Sequence, residues 1–351
     1  MKSFKNTLFS LFFGSAIVLL SIVSFLWYNN YPPLSKFSNP DIIKITSIKT
    51  KKNINKDIKI ASYNIHFGIG HNDKTLLNGY QNFIDRLNEI SQILKKIDAD
   101  VVLLQEVDFN SKRSHNIDQA LYLAKKSEYK YVVKHTTLKQ KIHPFFHNIF
   151  GNIDHGMCIL SKYPITSSSA LVFEHYPKIP FFLKWLYSPH GALECAISFL
   201  EKNIKVINLH LEPWSKSQRL MQIEEIKNYF FNDKKIPLIV GGDFNTLPLE
   251  LLKRNTYPFQ EAPFFVNKEE LNIKNEKTIE VIKKLSFSEA VPIKLYLNDS
   301  KKAFTYPAIN PKVKLDYIFA GYRAKVKYGY IYKDAFIASD HLPIVAEIKI
   351  N

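Results

Sequence analysis

Cysteine is nearly absent from this chain. Two occur in 351 residues, Cys158 and Cys195, and no Cys-x-x-Cys pair is present. That excludes a disulfide-dense scaffold, a zinc ribbon and a dithiol redox site. A disulfide would suit an exported domain. Each cysteine, however, sits in a strand-like apolar run (residues 157–160 and 192–199), and two free, buried thiols are the preferred reading. Arginine is scarce too, at five of 48 basic residues. The guanidinium is the fork that grips phosphate with two bonds, so an arginine-rich phosphate surface is not expected. Phe67-Gly68-Ile69-Gly70 is a glycine-punctuated loop, but no Gly-Lys-Ser/Thr ending follows it, so it is not a phosphate-cradling P-loop. No 20–50-residue repeat is evident, which excludes a solenoid.

Apolar residues are not lacking. At 46% hydrophobic, the chain can build a sizeable core, as one large domain or two smaller ones. Net charge is +16, which suits an anionic partner such as nucleic acid or an acidic lipid surface. Lysine supplies most of it, alongside abundant Ile and Asn. Such a mixture is what an AT-rich genome encodes, and composition is the first explanation of the charge.

Residues 8–27 form an uncharged apolar run behind Lys2 and Lys5. About twenty such residues span a bilayer as a helix. A cleaved signal peptide has a shorter apolar region that ends in small residues. This run ends in Phe25-Leu26-Trp27-Tyr28, with aromatics suited to the membrane interface. The expected division is a basic N-terminus (1–7), a single-pass membrane anchor (8–27), a linker (28–56) with Pro32-Pro33, Asn39-Pro40 and a Lys49, Lys51, Lys52 cluster, and a catalytic domain (57–351). Lys2 and Lys5 favour a catalytic domain on the non-cytoplasmic side; cleavage of the run would make it exported. No protein partner is implied.

The stretch Pro237-Leu238-Ile239-Val240-Gly241-Gly242-Asp243-Phe244-Asn245 organises the remainder. Three apolar residues make a strand buried on both faces, and two glycines let the backbone turn tightly. Asp243 and Asn245 follow, two apart, so an extended backbone would point both side chains the same way. An Asx-turn after the strand is the alternative. Other apolar runs end alike: 58–63 in Asn64, 101–104 in Gln105-Glu106, and 206–209 in His210. Asp316 lies inside the run 315–319, and Ser339-Asp340-His341 precedes the run 343–350. Polar groups at the ends of many core strands point to one site on a rigid scaffold.

These pieces, read as SYNIHFGIG, DADVVLLQEVD, HGMCILSKYPI, INLHL, VGGDFNT, LDYIF and SDHLPIV, run in order over residues 58–350. The chain thereby resembles the endonuclease/exonuclease/phosphatase superfamily, which includes DNase I-like nucleases, neutral sphingomyelinases and inositol polyphosphate phosphatases. The resemblance implies an α/β fold, a four-layer sandwich of two facing mixed β-sheets flanked by helices, with the site at one end. It implies that Asn64 and Glu106 hold the metal and that Asp316 orients His341. Asp340 would serve a metal or the water, Asp243 would orient or activate the water, and His210 and Asn245 would contact the scissile phosphate. In the abasic-site nucleases of the family an acid stands two residues after the Asn64 position. Here His66 stands there, which lowers the expectation of that repair activity.

The residues support this chemistry independently. A phosphate ester resists attack because its oxygens repel the nucleophile, and a divalent cation offsets that charge. Carboxylate and amide oxygens suit Mg²⁺, with Mn²⁺ as the alternative. A histidine can act as a base or charge stabiliser once a carboxylate fixes its other ring nitrogen. The reading is a Mg²⁺-dependent phosphodiesterase acting on nucleic acid or a phospholipid headgroup. Alternatives are a phosphomonoesterase on phosphoinositide-like substrates and an inactive, membrane-tethered binding module, the last disfavoured because the metal ligands and the Asp316/His341 pair are all present.

Between the motifs, helical spacing predicts helices over 81–97, 118–126, 215–231 and near 277–285, and a strand over 129–135. Ser215 is the expected N-cap of the third helix, with Leu220, Ile223, Ile226, Tyr229 and Phe230 as its buried stripe. The aromatic segments 142–150 and 176–187 read either as a satellite apolar cluster or as a lipid-touching rim.

Overall fold

A computed structural model of the chain describes residues 2–29, 34–48, 56–71, 79–144, 150–174, 179, 187–248, 268–271, 276–296, 298–335 and 337–351. The chain begins with helix α1 (Lys2–Asn29) and strands β1 (Phe37–Ser38), β2 (Ile42–Lys44) and β3 (Asp57–Asn64). Helix α2 (Gly79–Ile97), strand β4 (Val101–Asp108) and helix α3 (Gln119–Lys126) come next. Strands β5 (Tyr131–Pro144), β6 (Phe150–Ser161), β7 (Ile165–Val172), β8 (Gly191–Phe199) and β9 (Lys202–His210) form the middle. Helix α4 (Lys216–Phe230), β10 (Leu238–Asp243), α5 (Lys268–Leu271), α6 (Thr278–Lys283) and strands β11 (Ser288–Glu289), β12 (Asp316–Gly321), β13 (Ala324–Ile331) and β14 (Ile344–Ile350) complete it.

The strands make two mixed sheets of seven. One has the order β1-β7-β8-β9-β10-β12-β11 and the other β13-β14-β3-β4-β6-β5-β2. The central strands are apolar on both faces, so each sheet must be covered on both sides. Leu103, Val206, Cys195, Ile239 and Ile318 meet between the two sheets, and Leu87, Ile90, Leu94 and Leu123 of α2 and α3 belong to the same core. On the other side Ile223, Ile226 and Phe230 of α4 and Ile279 and Ile282 of α6 pack on Ile207, Val240 and Phe319. Helices therefore cover both outer faces, giving the expected four layers. The two cysteines are free and buried.

Asp118 caps α3 by accepting from Leu121 N–H, and Ser215 caps α4 by accepting from Gln218 N–H. The buried stripe of α4 differs from expectation. Ile223, Ile226 and Phe230 are buried, but Tyr229 is exposed and packs on Phe37 of β1. Gln218, Arg219 and Gln222 are buried instead, because Arg219 pairs with Glu276 inside the fold. The span read as a linker contributes β1 to the edge of one sheet and β2 to the edge of the other. Sequence alone gave these short edge segments no period to show. Of the aromatic segments, residues 145–149 and most of 176–187 lie outside the described residues.

Topology brings the strand ends together. β3 runs parallel to β4, and β9 parallel to β10, so Asn64, Glu106, His210 and Asp243 leave at one end. β12 is antiparallel to β10, with Asp316 directly opposite Asp243. β14 is antiparallel to β3, so Asp340 and His341 enter at that same end.

Candidate active site

Two backbone features aim the acids. The β4–β6 register slips between Leu104 and Val107, and Glu106 within this bulge has φ of 54°. A bulge with a left-handed residue redirects a side chain out of the pleat. At β10, Gly242 adopts φ of 144°, and a Cβ there would lie 1.9 Å from the Leu209 carbonyl oxygen. Only glycine lets β9 and β10 approach this closely below His210 and Asp243.

Asp243 is the hub. Its Oδ2 accepts from Asn64 Nδ2 at 3.1 Å and lies 3.7 Å from both His210 Nε2 and His341 Nε2. Its Oδ1 accepts from Asn245 N–H at 2.9 Å, closing an Asx-turn. Asn245 has φ of 47°, so the extended-backbone expectation that Asp243 and Asn245 point the same way does not hold. The Asn245 amide instead donates to Leu211 O at 2.9 Å and braces the segment after His210. Asn64 Nδ2 also donates to Glu106 Oε1 at 3.0 Å, while its Oδ1 accepts from His66 N–H. The single amide thus holds two carboxylates in place.

His341 Nδ1 meets Asp316 Oδ2 at 2.9 Å, and the ring of Tyr306 lies 4.9 Å from its own. Asp340 sits at the rim, 3.6 Å from His66 Nδ1. The sequence reading therefore assembles into one cluster. It also missed members. His66 and His155 both act electrostatically on Glu106. Arg113 holds the buried Asp108 with two bonds of 2.8 Å, while its guanidinium lies 3.5 Å from the Phe67 ring centre. His190 stands edge-on to His210 at 4.5 Å, with Nδ1 3.8 Å from Glu212. Beneath the site Gln105 donates to Asn208 Oδ1 at 2.6 Å, and Asn208 Nδ2 reaches the carbonyls of Leu104 and Cys158, tying one sheet to the other. The phrase Gln105-Glu106 and the Asn of INLHL were visible signals. His66 and His155 stood inside SYNIHFGIG and HGMCILSKYPI, but nothing local marked them as neighbours of Glu106, and His190 lay outside every motif.

Burial and neighbouring charge set the protonation. Burial pushes Asp243 up to about 7, against the pull of His341. Burial disfavours the His341 cation, but Asp316 and Asp243 outweigh it and hold its pKa well above the usual histidine value. Burial, with His155 and His341 adding to it, lowers His210 to about 3, so it is neutral. Burial opposes ionisation of Glu106, yet His66 and Asn64 lead a group that leaves its pKa below the ordinary value.

An ionised, half-buried Glu106 and a crowd of carboxylates favour a cation. Asp243, Asp316 and His341 offer ligand atoms within 4.8 Å of one another. Asp316 Oδ1 is buried without a hydrogen-bond partner among the described residues. The carboxylate oxygens of this group and of Glu106 are hard donors that fit a divalent metal, whereas His341 is a ligand only when neutral.

A model of the Endonuclease/Exonuclease/phosphatase family matches residues 61–341. No curated protein matches the sequence. Among solved structures, an endonuclease/exonuclease/phosphatase from Beutenbergia cavernae DSM 12333 aligns with a TM-score of 0.57 at 15% identity, covering 85% of this chain and 72% of that one. A mannosyl-6-phosphatase from Bacteroides thetaiotaomicron VPI-5482 gives 0.54 at 16%, covering 83% and 99%. A humanized D. rerio TDP2 gives 0.52 at 13%, covering 84% and 99%. At these identities the structural likeness is one of fold.

Proposed function

The chain belongs to the endonuclease/exonuclease/phosphatase family, and on that premise we propose that it is a Mg²⁺-dependent phosphodiesterase. The observation that carries the reading is the Asp243–His341–Asp316 line, an acid with a pKa near 7 facing a histidine held cationic by a second acid. Asp243 Oδ2 and His341 Nε2 are too far apart, at 3.7 Å, for a direct hydrogen bond, a separation across which both can contact a bound phosphoryl group and its water. There Asp243 takes a proton from the attacking water. The His341 cation stabilises negative charge growing on the phosphoryl oxygens, and Asp316 fixes its ring. Neutral His210, 3.7 Å from the same carboxylate oxygen, contacts the phosphate. Water adds to phosphorus, the P–O ester bond breaks and the departing oxygen is protonated, so one water is consumed.

Asn64, Glu106 and Asp340 would hold the cation, and the Asn64 amide also steadies Glu106. The cation, when bound, offsets the phosphate's charge. Mn²⁺ is the natural substitute. The substrate is an anionic phosphodiester, in nucleic acid or a phospholipid headgroup. A phosphomonoester is the second reading, suggested by the mannosyl-6-phosphatase among the structural relatives. Residues 8–27 anchor the enzyme in a membrane, with the catalytic domain on the non-cytoplasmic side.

Full-length protein assayed with Mg²⁺ on plasmid DNA, sphingomyelin vesicles and a phosphoinositide, with His341→Ala as the blank, tests this. Cleavage of DNA or release of the sphingomyelin headgroup, lost in the variant, supports the diesterase. Phosphate release from the phosphoinositide alone moves the assignment to a monoesterase. Equal activity of the variant on any substrate overturns the site.

A further inference from the structure

The C-terminal end of α1 is tied to β5 of the sandwich. Asn29, in the last turn of α1, is buried, and its side chain bonds both backbone groups of Ile142. Its Nδ2 donates to Ile142 O at 2.8 Å, and its Oδ1 accepts from Ile142 N–H at 2.7 Å. Beside it, Lys141 Nζ lies 3.8 Å from the centre of the Tyr28 ring. A side-chain amide that satisfies a strand's N–H and C=O together behaves as a short piece of added strand.

Ile142 lies far along β5, and the register fixes where. Val107, next to Glu106, is opposite Gly156, and Gly156 is opposite Thr136. Thr136 is therefore level with the site. β4 runs towards the site end, β6 runs back and β5 runs forward again, so residues after Thr136 project beyond the site. Ile142, about four ladder positions on once the two bulges of β5 are allowed for, stands roughly 13 Å past that level at about 3.3 Å per residue. The helix is thus moored to the hairpin that overhangs the active-site end.

The rest of α1 fits a bilayer and not the domain. Leu11, Phe12, Phe13, Val18, Leu19, Leu20 and Trp27 are all exposed. At about 1.5 Å per residue, twenty residues cover roughly the 30 Å hydrocarbon core. Exposed Lys112, Lys139 and Lys141 lie around the moored hairpin, where anionic headgroups attract them.

We propose that the described ends of β5 and β6 beyond the site, around Lys139, Lys141 and Lys112, are a membrane-docking surface. The Asn29–Ile142 clamp turns the site towards the bilayer holding α1, so that the phosphate ester it attacks is one carried at that surface. The docking rests on α1 being retained as an anchor; the choice of ester rests also on the phosphoesterase reading.

Full-length chain in vesicles with a headgroup-attached fluorescence quencher decides it. The native cysteines are buried, so a thiol probe selects an introduced one. Lys139→Cys reports the site end. Lys234→Cys, exposed in the loop before β10, reports the opposite end. The Lys139 probe should be quenched several-fold more than the Lys234 probe, and Asn29→Ala should shrink that difference. The same substitution should lower hydrolysis of a vesicle-borne phosphate ester about five- to tenfold and leave a soluble nitrophenyl phosphodiester unaffected. Equal quenching at both ends, or a mature chain lacking α1, overturns the docking. If the wild type cleaves neither ester, the phosphoesterase reading fails and the quenching alone decides the orientation.

Discussion

Asp243 and His341 are both buried, 3.7 Å apart, and each favours the charged form of the other. If Asp243 is the base, kcat/KM should rise as pH increases to about 7 and level above it, since burial places its pKa there. Asp243→Asn should remove that rise, and a pH–rate series on both proteins checks it. His341→Ala should lower kcat by roughly 10²–10⁴-fold, the usual worth of one positioned acid, base or charge stabiliser. Glu106→Ala should leave folding intact and raise the Mg²⁺ concentration needed for half-maximal activity, read by a metal titration. EDTA should abolish activity reversibly; activity that persists in chelator would remove the metal from the reading.

The helix α4 shows how an element beside the site supports it. Arg219 is fully buried, paired with Glu276 through bonds of 2.6 and 3.1 Å, and donates to the carbonyls of Glu212 and Pro213 just past His210. Removing Glu276 leaves that guanidinium buried without its counter-charge. Glu276→Ala should cost about 3–5 kcal/mol in denaturant unfolding, and a paired Arg219→Met, Glu276→Leu protein should recover much of it. Two outlying strands, β7 beside the edge strand β1 and β13 at the edge of the other sheet, escaped the sequence reading. Ser167-Ser168-Ser169 masks the alternation of β7, and lysines and tyrosines fill the outward positions of β13. Their strand character comes from pairing with β8 and β14.

Across the whole molecule, buried titrating groups bend stability with pH in both directions. Burial lowers His135 from 6.5 to about 4. Between those values the unfolded chain binds a proton that the folded one refuses, so stability falls as pH drops from 6.5 to about 4, by up to about 3 kcal/mol. His135→Gln should flatten that limb in thermal melts. Burial opposes ionisation of Asp108, but Arg113 holds its carboxyl below the usual 3.8, so its contribution is present above that value and is lost on further acidification. His341 has the opposite sign: raised above 6.5, it contributes fully below 6.5 and fades as pH rises through its folded value. Local chemistry fixed much of this protein before any folding. Short apolar runs determined the core strands, helical spacing set α2 and part of the buried face of α4, and the polar residues at strand ends named the site. Residues 8–27 declared a membrane-length helix by hydropathy alone. Tertiary structure decided the rest, because the deciding contacts join residues far apart in the chain. Asn64 touches Asp243 only when two sheets meet. The left-handed Glu106 needs the β4–β6 bulge, Arg219 is buried only opposite Glu276, and Asn29 finds Ile142 only once the hairpin stands beyond the site. No local pattern encodes such pairs, since each partner is satisfied by a group that the sequence leaves tens to hundreds of residues away.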